Sequence, residues 1–278
     1  MKHQGAMIGK FAAFAFLAAL LLAAGFASPA YAAQPDQWDG NWHTTISPYA
    51  WLPGIDATLR FQVANSTVLS QSTGNIWDNL GGAFELMGLA RKGRWGVYAD
   101  LDWVDFSGME GRATTVGRAG VPIQFNDRWD MQGAMANVAG IYTLAHGRSG
   151  YADLLFGARY VWIEGSLDWN FAAGGNGGAV DFAHSGSRSR RANFVNPVIG
   201  VRGRWIPFHG RFFVPYHLDY GAAGSTSSAQ ASVGAGLAFG WGDVALSWRQ
   251  IRLDQHADSS ILKEITLSGP SLRLAWHF

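Results

Sequence analysis

The sequence contains no cysteine, few charged residues and, beyond its first 32 positions, no long apolar run. Without cysteine, disulfide scaffolds, thiolate zinc sites and cysteine nucleophiles are excluded. Charged residues make up 15% of the chain, where a soluble domain usually carries about a quarter. The formal net charge is only +1, so we expect no nucleic-acid partner, because such proteins usually show a basic excess.

What the chain has instead is apolar and aromatic residues, at 48% and 14% of the sequence. This content is too high for a disordered chain. Its mean hydropathy is +0.01, yet no segment after residue 32 approaches the roughly 18 apolar residues of a membrane-spanning helix. A chain that is apolar on average but never continuously so favours alternation, which is typical of a transmembrane β-barrel.

The first 32 residues have the organisation of a signal peptide. Residues 1–10 carry two lysines and no acid, residues 11–26 are apolar or small, and Ala30 and Ala32 form an A-x-A cleavage pattern. Sixteen apolar residues are few for a membrane span, which needs about 20. We therefore predict cleavage after Ala32, a β-barrel domain over residues 33–278, and export to the bacterial outer membrane.

Strict alternation of apolar and polar residues predicts the strands. In residues 211–221, Phe212, Val214 and Leu218 share one face, and Arg211, His217 and Asp219 share the other. The same period of two runs through residues 94–103, 152–162, 193–205, 230–239 and 243–249. One face of each strand is thus predicted to meet lipid and the other the lumen.

The connections between these strands alternate in length. Short turns are predicted at residues 91–94, 146–150, 207–210 and 240–243, and long loops at about 64–81, 107–128, 166–191, 222–228 and 255–262. Short periplasmic turns and longer outer loops are typical of outer-membrane barrels. Ten strands follow if residues 42–61 form one bulged strand. Twelve follow if Leu52-Pro53-Gly54-Ile55 is a hairpin turn and residues 110–125 add another break; ten is slightly favoured.

Aromatic residues cluster near the predicted strand ends, among them Trp42, Trp51, Trp95, Trp103 and Trp205. Interfacial girdles of a barrel use tryptophan in this way. The last strand alternates to the end of the chain through Leu272, Leu274, Trp276 and Phe278. This ending resembles the signal read by the barrel assembly machinery, which we expect as a partner.

Several short motifs, in their order, add a resemblance. They are Ser47-Pro-Tyr-Ala-Trp51-Leu-Pro-Gly54, Tyr98-Ala-Asp-Leu-Asp102, Gly157-Ala-Arg159-Tyr160, Asn196-Pro-Val-Ile-Gly-Val-Arg202, Asp219-Tyr-Gly221, Trp248-Arg249 and Gly269-Pro-Ser-Leu272. Together they resemble a family of uncharacterised Gram-negative outer-membrane β-barrel proteins over nearly all of residues 33–278. The chain departs from that family's pattern at Asp56-Ala57 and at Tyr220. The resemblance implies a fold and a location but no activity.

The polar face is rich in arginine, since residues 33–278 hold 17 Arg and only 2 Lys. We predict a lumen charge network built from Asp100, Asp102, Arg159, Arg202, Arg204, Arg211, His217, Asp219, Arg249 and Arg273. Asp153 and Asp243 fall on the same face, with Glu85 as a further candidate. Arginine suits this task because its planar fork pairs with carboxylates through two hydrogen bonds.

Two functions follow from such a lumen. The charges either hold a structural barrel together as ion pairs or form a constriction that passes small polar or anionic solutes. A barrel of ten strands is narrow, since about eight strands already fill with side chains. Paired Arg and Asp side chains would partly plug it.

Other functions are less favoured by the sequence. A lipase- or protease-type hydrolase would need a serine beside a histidine, and no G-x-S-x-G elbow, HExxH motif or phosphate-binding loop occurs. We therefore predict no catalytic residues, no metal and no cofactor. The cluster of Arg188, Arg190 and Arg191 is a candidate contact for lipopolysaccharide phosphates. A surface-binding barrel acting through residues 166–191 is the third alternative.

Overall fold

The computed structural model describes residues 37–59, 69–73, 80–116, 122–174, 180–208, 210–255 and 262–278. The predicted signal peptide lies outside these residues. Among the residues that are described, none forms a helix long and apolar enough to cross a membrane.

The described chain is almost entirely β-strand. The strands are β1 (Trp42–Trp51), β2 (Gly54–Leu59), β3 (Leu69–Thr73), β4 (Leu80–Lys92), β5 (Trp95–Val116), β6 (Pro122–Gly147), β7 (Gly150–Gly174), β8 (Val180–Trp205), β9 (Phe212–Ala223), β10 (Thr226–Phe239), β11 (Gly242–Gln255) and β12 (Leu262–His277). Neighbours in this series pair antiparallel from β4 through to β12.

The sheet closes on itself where β1 pairs with both β4 and β12. The last residue contributes to closure, because Phe278 and Thr44 exchange backbone hydrogen bonds of 2.8 and 2.9 Å. Counting β1 with β4 to β12 gives a closed antiparallel barrel of ten strands, as favoured by the sequence. Closure removes the free edges that an open sheet of these ten strands would carry, and among the described residues β3 pairs only with β2.

The alternative of twelve barrel strands is wrong, because no hairpin turn forms at Pro53-Gly54. β1 and β2 pair one after the other with the same strand, β12. Ala50 of β1 lies opposite Leu272, and Ile55 of β2 lies opposite Leu267. The backbone N–H of Leu52 still donates to the carbonyl of Pro270 at 2.9 Å. β1 and β2 are therefore one strand with an interruption, and β2 and β3 form a hairpin at its outer end.

Three of the predicted long loops are mostly strand. β5 and β6 pair out to Val116 and Pro122, and β7 and β8 pair out to Gly174 and Val180. The loop predicted at residues 222–228 is a tight turn between β9 and β10, with Gly224 at a φ of +57°. Within the predicted loop at residues 166–191, Gly174 and Gly186 lie in the antiparallel ladder of β7 and β8.

The two faces of the wall separate as the alternation predicts. Large apolar side chains on the outside are exposed, among them Val97, Leu101, Phe156, Ile199, Leu218, Val233 and Leu246. The prediction that Trp51 belongs to an aromatic girdle is wrong. Its side chain is 4% exposed and points into the barrel.

Glycine lets neighbouring strands approach closely at one inward position of β7. A Cβ on Gly157 would lie 2.1 Å from the carbonyl oxygen of Val138 and 2.5 Å from the Cα of Ala139. The same atom on Gly165, on the same face of the same strand, would meet nothing within 4 Å. The first position therefore requires glycine and the second does not.

We expect Gly157→Val to lower the free energy of unfolding by about 3 kcal/mol, because overpacking forces the strands apart. Gly165→Val, the matched control, should change it by less than about 1 kcal/mol. Urea titration of the refolded barrel, followed by tryptophan fluorescence, measures both. Equal stability of the two variants would contradict the close approach at Gly157.

Candidate functional site

The lumen is the candidate site, and its centre is organised around Arg249. This side chain, on β11, donates to Asp102 at 2.7 and 3.1 Å, to Asp100 at 3.1 Å and to the hydroxyl of Tyr49 at 2.7 Å. The Tyr49 hydroxyl also lies 2.7 and 2.6 Å from oxygens of Asp100 and Asp102. Strands β1, β5 and β11 are thus tied together across the interior.

A second central group connects β6, β7, β9 and β10. Arg159, which is fully buried, donates through Nη2 to both oxygens of Asp219 at 2.6 and 2.8 Å. Its Nε donates to Asn137 at 2.6 Å, and Gln230 accepts at 3.2 Å. Gln230 also accepts from Arg249 at 3.3 Å, so the two central arginines share one partner.

Further pairs lie towards the end of the barrel that holds the four short turns and the C-terminus, which we call the turn end. Arg204 pairs with Asp243, and His277 lies 2.9 Å from the same carboxylate. The Arg204 guanidinium also lies 3.8 Å from the centroid of the Phe213 ring.

Arg91 is a member of this network that the sequence analysis missed. It donates to Asp153 at 2.5 Å and to Thr143 at 2.6 Å, and it is 1% exposed. The alternation assigned residues 91–94 to a turn, which hid the inward direction of this side chain. Trp38 covers it from outside the strands, with its ring centroid 5.3 Å from the Arg91 guanidinium.

The segment carrying Trp38 is held at the turn end by its neighbours. Asp39 accepts from His43 Nε2 and from the backbone of Asn41, both at 2.8 Å. The hydrogen bond from His43, followed by those from Asn41, lowers the pKa of Asp39 to about 2. Trp38 itself stacks on His146 at a centroid distance of 4.5 Å.

The other predicted members lie in or beside this network, with one exception. His217 lies 2.6 Å from Asp219, and Arg202 and Arg273 line the same cavity as His217. The prediction that Arg211 belongs to the lumen charge network is wrong. Arg211 is exposed and precedes the start of β9, with its guanidinium 5.8 Å from the Phe239 ring. It lies outside the lumen because the regular alternation begins only at Phe212.

Towards the opposite end, which we call the loop end, the interior becomes apolar. Phe106, Met135, Val161, Ile251 and Ile265 are all buried there. A cavity of about 50 Å³ remains between them, with a purely apolar surface. Glu85 lies near the boundary between the two regions, where it accepts from the backbone N–H of Trp51.

The residues predicted to meet lipopolysaccharide lie on β8. Arg191 is exposed, pairs with Glu164 at 2.8 Å and lies 5.8 Å from the Trp162 ring. The side chains of Arg188 and Arg190 lie outside the described part of the chain. Of the terminal signal residues, Leu272, Leu274 and Trp276 lie in β12, and Phe278 follows its last residue and is 70% exposed.

The described residues around His217 do not form a hydrogen-bonded Ser–His–Asp triad. Ser232 lies directly opposite His217 in the ladder, with Asp219 beside it. No hydrogen bond joins Ser232 to His217 in this part of the structure, and Asp219 is already bound by Arg159. Within the described residues, no group of three or more His, Asp or Glu side chains is placed to hold a metal ion.

Comparison with known proteins gives structural likeness only. No family model and no curated protein matches the chain. The attachment invasion locus protein Ail of Yersinia pestis is 12% identical, over 85% of this chain and 98% of that one, with a TM-score of 0.32. A FadL homologue from Pseudomonas aeruginosa and the toluene transporter TodX of Pseudomonas putida are each 10% identical over 86% of this chain, covering 90% and 89% of theirs, with TM-scores of 0.27. Scores this low assign the chain to none of these families.

Removing the central arginine tests how much the network stabilises the barrel. Arg249→Met should lower the free energy of unfolding by about 3–5 kcal/mol, because it leaves two buried carboxylates without their cation. Arg252→Met on the same strand removes a half-exposed arginine paired with Asp254 and Glu264, which should cost less than about 1 kcal/mol. Urea titration compares the two. Similar losses would show that burial of the network contributes little.

Proposed function

We propose that this chain is an outer-membrane β-barrel whose lumen is closed, and that it acts as a structural barrel and not as an open diffusion pore. The observation that carries the proposal is that two layers of side chains follow one another along the interior of the barrel. A charge network fills the centre and the turn end, and an apolar layer follows at the loop end. A solute would have to disrupt both layers to pass.

The membrane location is supported by the outer surface. Exposed aromatic residues recur eight positions apart, as Trp95 and Trp103 on β5 and as Phe212 and Tyr220 on β9. Eight residues of strand span about 26 Å, or about 20 Å once tilted as in a barrel. Apolar residues such as Val97 and Leu218 fill the band between them. Two aromatic girdles around an apolar band match a wall in contact with lipid.

The closed lumen is supported by the chemistry of its layers. Water-filled pores of outer-membrane barrels have polar interiors, whereas the loop-end half of this interior is lined by Phe106, Met135, Ile251 and Ile265. Two cavities lined by described residues, of about 50 and 80 Å³, have no lining residue in common. Such spaces suit packing around buried ion pairs better than steady conduction.

A charge introduced on the outer surface tests the membrane location. Leu246→Arg places a guanidinium between the two aromatic belts, which should lower the free energy of unfolding in lipid vesicles by about 2–4 kcal/mol. Ala222→Arg, the control, lies beyond the belt on β9 and should cost about 0–1 kcal/mol. Equal effects in vesicles would argue against a lipid-facing band at Leu246.

Single-channel recording tests the closed lumen. The mature barrel, refolded and inserted in a planar bilayer, should show no discrete conductance steps, because paired charges and an apolar layer occupy its interior. Vesicle flotation and a heat-modifiable gel shift confirm insertion and folding of the same preparation. Discrete, reproducible conductance steps from the folded protein would overturn the closed lumen. They would favour the alternative of a charged constriction that passes small solutes.

A second candidate function, binding at the cell surface, is favoured by one observation. β6, β7 and β8 contain 25 or 26 residues, whereas β9, β10 and β11 contain 12 to 14. Strands that span a membrane need about 9–11 residues. The longer strands therefore extend as a wall beyond the loop end of the membrane band, on the side predicted to face outwards. Arg188, Arg190 and Arg191 belong to this wall, which keeps lipopolysaccharide as its proposed partner.

A further inference from the structure

A chamber of about 80 Å³ lies at the turn end of the lumen, beneath the central network. Its wall includes four arginines, Arg202, Arg204, Arg249 and Arg273, but a single carboxylate, Asp100. Ser232, Ser247 and Ser271 also line it, together with His217, Gln230 and four tyrosines. The chamber is therefore rich in hydrogen-bond donors and in positive charge.

Arg202 is the first of two arginines there without a carboxylate partner. It is 7% exposed, and its Nη1 is buried with no hydrogen-bond partner in the described structure. Its guanidinium stacks on the Tyr98 ring at 4.5 Å. Stacking uses the face of the guanidinium and leaves the N–H groups along its edge free to donate.

Arg273 is the second. Its one hydrogen bond in the described structure is a weak contact of 3.9 Å to the sulfur of Met87. The like charges of Arg202 and Arg204 act on it, as does the negative charge of Asp243. Asp243 is already held by Arg204 and His277. Two guanidinium groups that line the same chamber, one buried and one partly buried, thus have no carboxylate partner in the described structure.

The lumen as a whole is balanced in charge, but the two signs are separated. Among the described inward residues, six arginines (Arg91, Arg159, Arg202, Arg204, Arg249, Arg273) face six carboxylates (Glu85, Asp100, Asp102, Asp153, Asp219, Asp243). Three of these carboxylates, Glu85, Asp100 and Asp102, gather around Arg249. The positive excess is left at the turn end, around Arg202 and Arg273.

We propose that this chamber binds one small oxyanion, of the phosphate or carboxylate class, between Arg202 and Arg273. Two guanidinium groups can clamp such an anion through paired hydrogen bonds, and the serine hydroxyls supply further donors. A single water needs about 10–15 Å³ of such space, so the chamber holds a small oxyanion with a few waters and excludes a lipid headgroup. The proposal depends only on the chamber at the turn end. It does not depend on whether the lumen is open at the loop end.

Inorganic phosphate is the probe. The full barrel, refolded in zwitterionic detergent, is titrated with millimolar phosphate at constant ionic strength against chloride, and the urea midpoint is followed. Binding to the folded state alone raises the midpoint saturably. We expect Arg202→Gln and Arg273→Gln each to weaken the apparent affinity for phosphate at least about tenfold, a loss of about 1.4 kcal/mol. Arg211→Gln, which changes an exposed arginine, should leave it unchanged.

The same titration can overturn the proposal. Phosphate stabilises many proteins without binding a site, so equal responses of the wild type, Arg202→Gln and Arg273→Gln would show a general salt effect. Equal stabilisation by chloride would contradict an oxyanion site. If both arginine variants fail to fold, phenylphosphonate decides on the wild type. The chamber of about 80 Å³ should admit phosphate but not the larger phenyl compound, and equal stabilisation by both would place binding on the surface.

A conducting barrel with intact phosphate binding would overturn the proposed closed lumen and leave this site standing. A barrel that shows neither conductance steps nor saturable phosphate binding would support the closed lumen and overturn the oxyanion site. The two proposals therefore fail separately.

Discussion

Closure of the sheet is the constraint on which the rest of the structure depends. Once β1 pairs with β4 and β12, every inward side chain of ten strands must share one narrow interior. A barrel of about eight strands is already filled by its side chains. Most charges on the inner face are therefore paired, because an isolated buried ion costs several kcal/mol; Arg202 and Arg273 are the exceptions among the described residues.

The choice of residues follows from this constraint. Arg249 and Arg159 each serve several acceptors on different strands, which one planar guanidinium can do and a lysine ammonium does less well. Residues 33–278 hold 17 arginines and 2 lysines, and six of the arginines whose side chains are described lie inside the barrel. The pairs cross the interior, so they hold distant strands at fixed separations. Stability and the proposed closure of the lumen would thus have the same origin.

Much of the fold could be predicted because a strand has a period of two. The alternation in β9 separates Leu218 and Tyr220 from Asp219, and the structure exposes the first two and buries the third. The pattern fails at strand ends. It placed Arg211 inside although the ladder starts at Phe212, and it left Arg91 in a turn. The glycines between residues 166 and 191 suggested a loop, but the antiparallel pairing of β7 and β8 overrides that local preference.

The partners within the network could not be predicted. Which aspartate meets which arginine depends on the stagger of ten strands around the barrel, and Asp219 and Arg159 are 60 positions apart. No local pattern contains that stagger. The sequence also could not show that Arg202 and Arg273 lack carboxylates, since the count of charges on the inner face is balanced. Their isolation is a property of position, and it appears only when the barrel is closed.

The most direct test of a closed lumen uses the absence of cysteine from the chain. Met135→Cys puts a single thiol in the buried apolar layer, and Ser225→Cys puts one in the exposed turn between β9 and β10. A charged, membrane-impermeant thiol reagent is added to the folded barrel. A closed lumen predicts rapid labelling at residue 225 and none at residue 135 until the barrel is unfolded by heat. Labelling at residue 135 as fast as at residue 225 would show an open passage and contradict the layered interior.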